Sequence, residues 1–354
     1  MTSAVDKRVI TTFAIAIKIK RDKGYYMKKS LAAVAIMMAV SPAYAIMDGE
    51  ALNPVSHPQF VKLKNCSGTI IGNKFVLTAG HCGDGAGSII IDGNNATSSV
   101  VKTIFNPRYD SSVAGLFDVA LWELATPMNS GFLAREEPTE GGLYSIAGWA
   151  TGTLKTATMY AGVQPPALQE DSFVLTYDPA GGLGTGDSRP GDSGGACYSD
   201  KGVWGTIQGG GGWGDGTFRT YCQRATHPDT QQWILETVNG WSYPLSAKGD
   251  GVLTLKVQSV HPSTEVFAPW TDGTLELISN SCAGTANPLD VCTLQVKGSG
   301  KLHITNTDQV EVNKPIDPPE PPKPEEGGSG GGGSTGPWWL LSLLGAAVLR
   351  ARRG

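Results

Sequence analysis

The chain has 354 residues, with 28 Lys and Arg against 32 Asp and Glu, a formal net charge of -4. Charged residues make up 17%, below the roughly 25% of ordinary soluble domains, and no basic run or patch points to nucleic acid. Glycine numbers 47, but its excess falls in the loops of 181–216 and in the tail, which speaks for loops and linkers and against a fibrous repeat.

Residues 1–26 carry an apolar stretch, Val9 to Ile17, followed by Lys18, Lys20, Arg21 and Lys23, with no cleavage site. They read either as an extension from a start codon assigned too early, with Met27 the true start, or as a longer leader. Residues 27–45 read as a secretory signal peptide: Met27-Lys28-Lys29-Ser30 is a basic n-region, Leu31 to Val40 an apolar core, and Ala43-Tyr44-Ala45 a small-x-small cleavage site. Export agrees with six cysteines, which can form three disulfides in fifteen connectivities. No C-x-x-C spacing occurs, so neither a metal nor a cofactor is expected.

Three segments carry chemistry. Thr78-Ala79-Gly80-His81-Cys82 offers a base, and Phe117-Asp118-Val119-Ala120-Leu121 sets one carboxylate at the head of an apolar run, a position from which it could orient an imidazole. Arg189-Pro190-Gly191-Asp192-Ser193-Gly194-Gly195 has the composition of a turn that exposes a serine beside converging N–H groups. A serine hydroxyl becomes a nucleophile only when a base takes its proton. The order His, Asp, Ser separates this set from the hydrolase elbow, which runs Ser, acid, His. Gly191 to Gly195 also satisfies Gly-x-Ser-x-Gly, but an elbow leads into a helix, whereas Ala196-Cys197-Tyr198 and Val203 to Ile207 read as short strands split by the turn 199–202.

With these motifs, the segment from Ile46 to about Asn239 resembles the trypsin-like serine proteases of the chymotrypsin fold. The resemblance implies an all-β, chymotrypsin-like double barrel in which Ser193 attacks the scissile carbonyl, His81 shuttles the proton, Asp118 fixes the histidine tautomer, and the N–H groups of Gly191 and Ser193 hold the oxyanion. It places Asp187, six residues before Ser193, at the base of the primary specificity pocket, and so implies protein or peptide substrates with Arg or Lys before the cleaved bond. Gly210 and Gly216 roughly match the positions that keep the pocket walls open. Ile46-Met47-Asp48-Gly49 resembles the Ile-Val-Gly-Gly start of active members, whose α-ammonium pairs with the acid before the serine, here Asp192. Signal peptidase itself is then expected to make the mature terminus, with no separate propeptide.

Resemblance also implies a Cys66–Cys82 bridge around the histidine loop. Closeness in sequence suggests Cys282 with Cys292, which leaves Cys197 with Cys222. The chain departs from the family at two positions. Arg189 stands where most relatives have a cysteine bracing the pocket, and Gln208 stands where a serine commonly supports the catalytic acid.

Pro228 to Val238, with Trp233, Ile234 and Val238 at helical spacing, reads as the closing helix of a domain spanning 46–241. Residues 242–312 hold alternating runs such as Val252 to Val257, Thr274 to Ile278 and Thr293 to Val296, which suggest a small β-sandwich, with the immunoglobulin-like arrangement as one form of it. Its role is substrate or partner binding, or spacing and support. Residues 313–336 form a Pro/Glu stalk and a Gly/Ser linker. Residues 337–354 hold an apolar run of twelve, Trp338 to Leu349, ending in Arg350, Arg352 and Arg353. This tail resembles the Gly-Gly C-terminal sorting segment of secreted trypsin-like proteases of Gram-negative bacteria, which implies a rhomboid-type sorting protease and the type II secretion machinery as partners, a transient membrane tether, and release from the periplasm to the surface or medium. A permanent tail anchor is the rival. The expected function is a secreted serine endopeptidase. The alternative, a non-catalytic binding module, fits less well because non-catalytic relatives usually lack a triad residue, and His81, Asp118 and Ser193 are all present.

Overall fold

The computed structural model describes residues 46–314, apart from 114, 151, 163–170 and 283. The expected leader (1–26 and 27–45), the linker beyond residue 314 and the terminal segment 337–354 lie outside the described residues. No helix among the described residues is long and apolar enough to cross a membrane.

The strand Ser67–Ile71 is buried at every position and Phe75–Thr78 likewise. A strand covered on both faces has to sit inside a closed or double-layered sheet. These two strands occupy the middle of a six-stranded antiparallel sheet in the order Phe60–Lys62, Ser67–Ile71, Phe75–Thr78, Ala120–Leu124, Thr97–Phe105 and Ile89–Ile91. A second sheet runs Glu50–Ala51, Lys155–Ala161, Ser172–Tyr177, Phe218–Arg224, Gly202–Gly212, Ala196–Ser199 and Leu143–Gly148. Leu143–Gly148 pairs in turn with Lys155–Ala161, so this sheet closes on itself. The all-β double barrel expected from the sequence is thus the architecture, and strands, not a helix, follow Ser193.

The helix Pro228–Val238 begins with proline at its first turn, where the missing N–H has no partner to lose. It ends at Asn239 in the left-handed region, φ 39°. Ile234, Leu235 and Val238 enter a core cluster with Phe60, Leu77 and Leu121 of the first barrel and Ala196 and Val203 of the second.

Val291–Lys297 alternates buried Cys292, Leu294 and Val296 with outward Thr293, Gln295 and Lys297, the pattern of a strand with one covered face. It belongs to a sheet ordered Gly240–Ser242, Val252–Val260, Val291–Lys297 and Glu276–Asn280. A facing sheet runs Ser246–Ala247, Gln309–Val312, Gly300–His303 and Trp270–Thr271. Leu255, Val257, Leu294 and Val296 from the first share one cluster with Leu302, Val310 and Val312 from the second, a sandwich core. The strand Gly240–Ser242 crosses the expected 241/242 boundary and pairs with Gln258 to Val260.

Disulfides join Cys66 to Cys82, Cys197 to Cys222 and Cys282 to Cys292.

Candidate active site

Strand register explains why two residues 37 apart in sequence meet. Phe75–Thr78 pairs with Ala120–Leu124 so that Thr78 faces Ala120. The short 3₁₀ turn Gly80–Cys82 follows the first strand, and Asp118 precedes the second. Asp118 is buried at 3% exposure, and its two oxygens take different partners: Oδ1 accepts the His81 backbone N–H at 2.7 Å, and Oδ2 lies 2.6 Å from His81 Nδ1. The backbone bond fixes where the ring starts and the side-chain bond fixes how it turns. This contact raises the His81 pKa above its ordinary 6.5, against the opposing effect of partial burial.

Ser193 lies in the turn leading into Ala196–Ser199 of the second barrel. The turn is pressed onto the first barrel. The Ser193 carbonyl accepts the Ser67 N–H at 2.8 Å, and Cys82 Sγ, one residue beyond His81, sits 3.8 Å from the same oxygen. A Cβ on Gly194, at φ 76°, would come within 2.0 Å of Thr78 Oγ1 and 2.5 Å of the Ser67 carbonyl, so only glycine allows this approach. The backbone of the Ser193 turn thus meets the first barrel next to the loop that carries His81, and Asp118, just before the strand alongside, holds that histidine. Gly191 has φ 100°, and among the described residues neither its N–H nor that of Ser193 donates to another group. Two free donors flanking a serine hydroxyl are the equipment needed to hold a developing oxyanion.

Asp192 is fully buried. Its Oδ2 accepts Ile46 N at 3.0 Å and Arg189 N at 2.9 Å, and Oδ1 accepts Ala150 N at 3.1 Å. Burial pushes its pKa up, and these donors oppose the rise. Ile46 is itself without exposure, packed among Ala157, Met159 and Leu175.

Asp187 also has no exposed surface. Its backbone bridges to Met47, Thr220 Oγ1 donates to Oδ1 at 2.9 Å, and Oδ2 has no hydrogen-bond partner among the described residues. Burial raises its pKa from 3.8 to about 6, only partly offset by the Thr220 bond and the Arg189 charge. Gly210 borders this group, since a Cβ there would lie 2.5 Å from Ser188 Oγ and Thr220 is its cross-strand partner. Gly216 does not: it sits in the turn at the tip of the same hairpin, with nothing within 4 Å of an added Cβ. Arg189 lies over the Phe218 ring and contacts Met47 Sδ.

Three contributors escaped the sequence reading. Thr220 reaches Asp187, Gln223 Oε1 accepts the Asp118 N–H at 3.1 Å, and Gln223 Nε2 donates to the carbonyl and Oδ2 of buried Asp171 at 2.8 and 3.0 Å. Asp171 Oδ2 in turn accepts the N–H of Phe117, which is held at φ 44°. Thr220 and Gln223 are buried polar residues in the strand Phe218–Arg224, beside buried Cys222, and two polar positions in such a strand were the available signal. Gln208, by contrast, makes no hydrogen bond to Asp118 among the described residues, and its amide packs against Gly115.

Residues 46–234 match the family model described as Trypsin. A trypsin-like protease of Streptomyces glaucescens is 29% identical over 253 residues, covering 59% of this chain and 91% of that protein. Ovochymase-2 of Mus musculus is 26% identical over 227 residues, covering 51% of this chain, and the chain spans only 36% of that longer protein. Among solved structures, the secreted serine protease VesC from Vibrio cholerae aligns at 16% identity and a TM-score of 0.43, covering 75% of this chain and 70% of that one.

Proposed function

Because the chain belongs to the trypsin family of serine proteases, we propose that it is a secreted endopeptidase cleaving after Arg or Lys, with His81, Asp118 and Ser193 as its triad. The observation that carries this reading is the 2.6 Å contact between His81 Nδ1 and buried Asp118, beside the Ser193 turn. With Nδ1 engaged as a donor, Nε2 is left as the base. Ser193 Oγ attacks the carbonyl as His81 takes its proton, and the tetrahedral oxyanion falls to the N–H groups of Gly191 and Ser193. One such donor contributes about 3 to 4 kcal/mol of transition-state stabilisation. His81 then protonates the departing amine, the C–N bond breaks, and water repeats the cycle on the acyl-serine.

Asp187 supports a basic residue before the bond, because a buried carboxylate with one unpartnered oxygen is stabilised by a cation. Asp187 has no exposed surface, so such a side chain has to open a path to it, and the neighbouring run Gly209–Gly212 carries no side chains to oppose that movement. Cleavage by signal peptidase after Ala45 would turn the Ile46 amide into an ammonium already 3.0 Å from Asp192, adding a charge pair behind the oxyanion turn. Export through the periplasm, trimming near the C-terminal glycines by a rhomboid-type protease, and release by type II secretion are proposed from the sequences at the two ends.

The test is hydrolysis of chromogenic peptides ending in Arg, Lys, Phe or Ala, with Ser193→Ala alongside. Cleavage after Arg and Lys alone, lost in the variant, is expected. Activity after Phe or Ala would keep the triad and overturn the Asp187 role, whereas activity that survives in Ser193→Ala would overturn the triad.

A further inference from the structure

Pro190 and Gly191, which precede Ser193 in its turn, form one wall of a pocket that Asp187 does not line. The pocket has a volume of about 300 Å³ and is lined also by Lys62, Leu63, Lys64, Cys66 and Trp149. It shares Lys62, Leu63, Lys64 and Trp149 with a cavity of about 630 Å³ that runs on to Ile89, Ile91, Asp92 and Trp122. The two make one groove, starting at the oxyanion turn and ending on the rim of the first barrel. Its origin is topological: Phe60–Lys62 and Ile89–Ile91 are the two edges of the six-stranded sheet and are not hydrogen-bonded to each other, so the barrel gapes between them.

Strand alternation decides what the groove presents. Leu63 is buried, so Lys62 and Lys64 both turn outward, and neither has an ion pair or side-chain hydrogen bond among the described residues. At the far end Ile90 is buried at 1%, leaving Ile89 and Ile91 at 61% and 52% exposure. The floor holds Trp122, buried at 4%, whose indole N–H has no partner among the described residues. The near pocket is lined by no acid. Asp92 lies only in the far cavity, where its Oδ1 accepts the N–H groups of Asn94 and Ala96 and its Oδ2 has no partner among the described residues. An anion is therefore favoured beside the lysines and an apolar group beyond them.

Direction follows from the reaction. Cys66, in the near pocket, is bonded to Cys82, the neighbour of His81, which protonates the departing amine. None of Met47, Asp187, Ser188 or Thr220 lines the groove. We propose that the groove binds the substrate segment following the cleaved bond and selects segments with Asp or Glu within about the first three residues, an extended reach of about 10 Å, and apolar residues after them. This inference rests on the peptidase reading above.

The experiment uses protein made from the full chain and internally quenched peptides identical up to the cleaved Arg, with Glu-Glu or Lys-Lys at the second and third positions after it. A chromogenic Arg amide with no residue beyond the bond is run beside them. For the wild type, kcat/KM for the Glu-Glu peptide is expected to exceed that for Lys-Lys by about tenfold at low salt. The ratio should fall toward one at about 0.5 M salt as the charges are screened. In Lys62→Glu/Lys64→Glu the ratio should invert, a comparison made within one enzyme and so independent of how much of it folds. An extension containing Leu and Ile beyond the third position should raise kcat/KM further, and Ile89→Ser/Ile91→Ser should abolish that gain. A wild-type ratio near one, or a ratio unmoved by the charge reversal, overturns the inference while amide hydrolysis leaves the peptidase reading standing. Failure of the wild type on amide and peptides alike overturns both.

Discussion

On the proposed mechanism, two side chains must be deprotonated before a basic substrate is bound and cut. His81 has to be neutral to act as base, and its contact with Asp118 holds its pKa above 6.5. Asp187 has to be ionised to receive a cation, and burial holds it at about 6. As pH falls, kcat/KM for an Arg peptide should therefore drop with a limiting slope of two below about pH 6. Asp187→Asn assayed on a neutral peptide should show a slope of one, and a slope of one in the wild type would remove Asp187 from the titration. The same shift has a stability sign. Asp187 is raised in the fold, so the folded state binds its proton more tightly than the unfolded chain does. The protonated form's advantage is complete below about pH 4 and is lost as pH rises through about 6, on the order of 3 kcal/mol in all. Gln223 acts at the same scale without titrating. Gln223→Leu leaves the Asp118 N–H and one side of Asp171 unpartnered in the core, which should cost about 2 to 3 kcal/mol of stability in urea titrations and lower kcat.

At the scale of elements, the strands that carry the turn are held by covalent cross-links as well as by pairing. Cys197 ties Ala196–Ser199, directly after the serine turn, to Cys222 in Phe218–Arg224, the strand that brings Thr220 to Asp187 and Gln223 to Asp118. Cys197→Ser/Cys222→Ser should cost about 2 to 4 kcal/mol and lower Tm by roughly 5 to 15 °C in thermal scans. An unchanged Tm would show that strand pairing alone holds the turn. The elements themselves were legible because each carries its signal locally: two-residue alternation in Val291–Lys297, proline and a helical stripe in Pro228–Val238, glycines flanking Ser193. Contacts of a site built across barrels are not local. Gln223 meets Asp171 across 52 residues and Asp118 across 105, and nothing in a β-strand's own sequence says which distant polar group an inward Gln or Thr will face. Gly210 and Gly216 could be placed only roughly from sequence, for the related reason that a polyglycine run offers no register. The hairpin register, with Gly210 opposite Thr220 and a bulge between Ile207 and Gly209, puts Gly210 beside Asp187 and carries Gly216 out to the tip.

At the scale of the molecule, the sandwich is joined to the barrels by buried polar pairs as well as by apolar contact. Gln258, 1% exposed, exchanges two hydrogen bonds with the backbone of Leu133, both 2.8 Å, and Asn73 binds both the N–H and the carbonyl of Tyr243. Val260 and Leu289 of the sandwich sit in the same core cluster as Phe60, Ile71 and Val238. Buried amides of this kind are satisfied only when both surfaces are present, since either one alone would expose unpaired backbone groups and an apolar face together. Barrels and sandwich should therefore unfold in one calorimetric transition. Gln258→Leu, which strands the N–H and carbonyl of Leu133, should lower that transition by about 2 to 4 kcal/mol without splitting it. A wild-type scan with two separate peaks would contradict this coupling and make the sandwich an independently stable appendage, whereas a single peak that shifts as a whole would mean that the Ser193 turn depends on the sandwich for its stability without being touched by it.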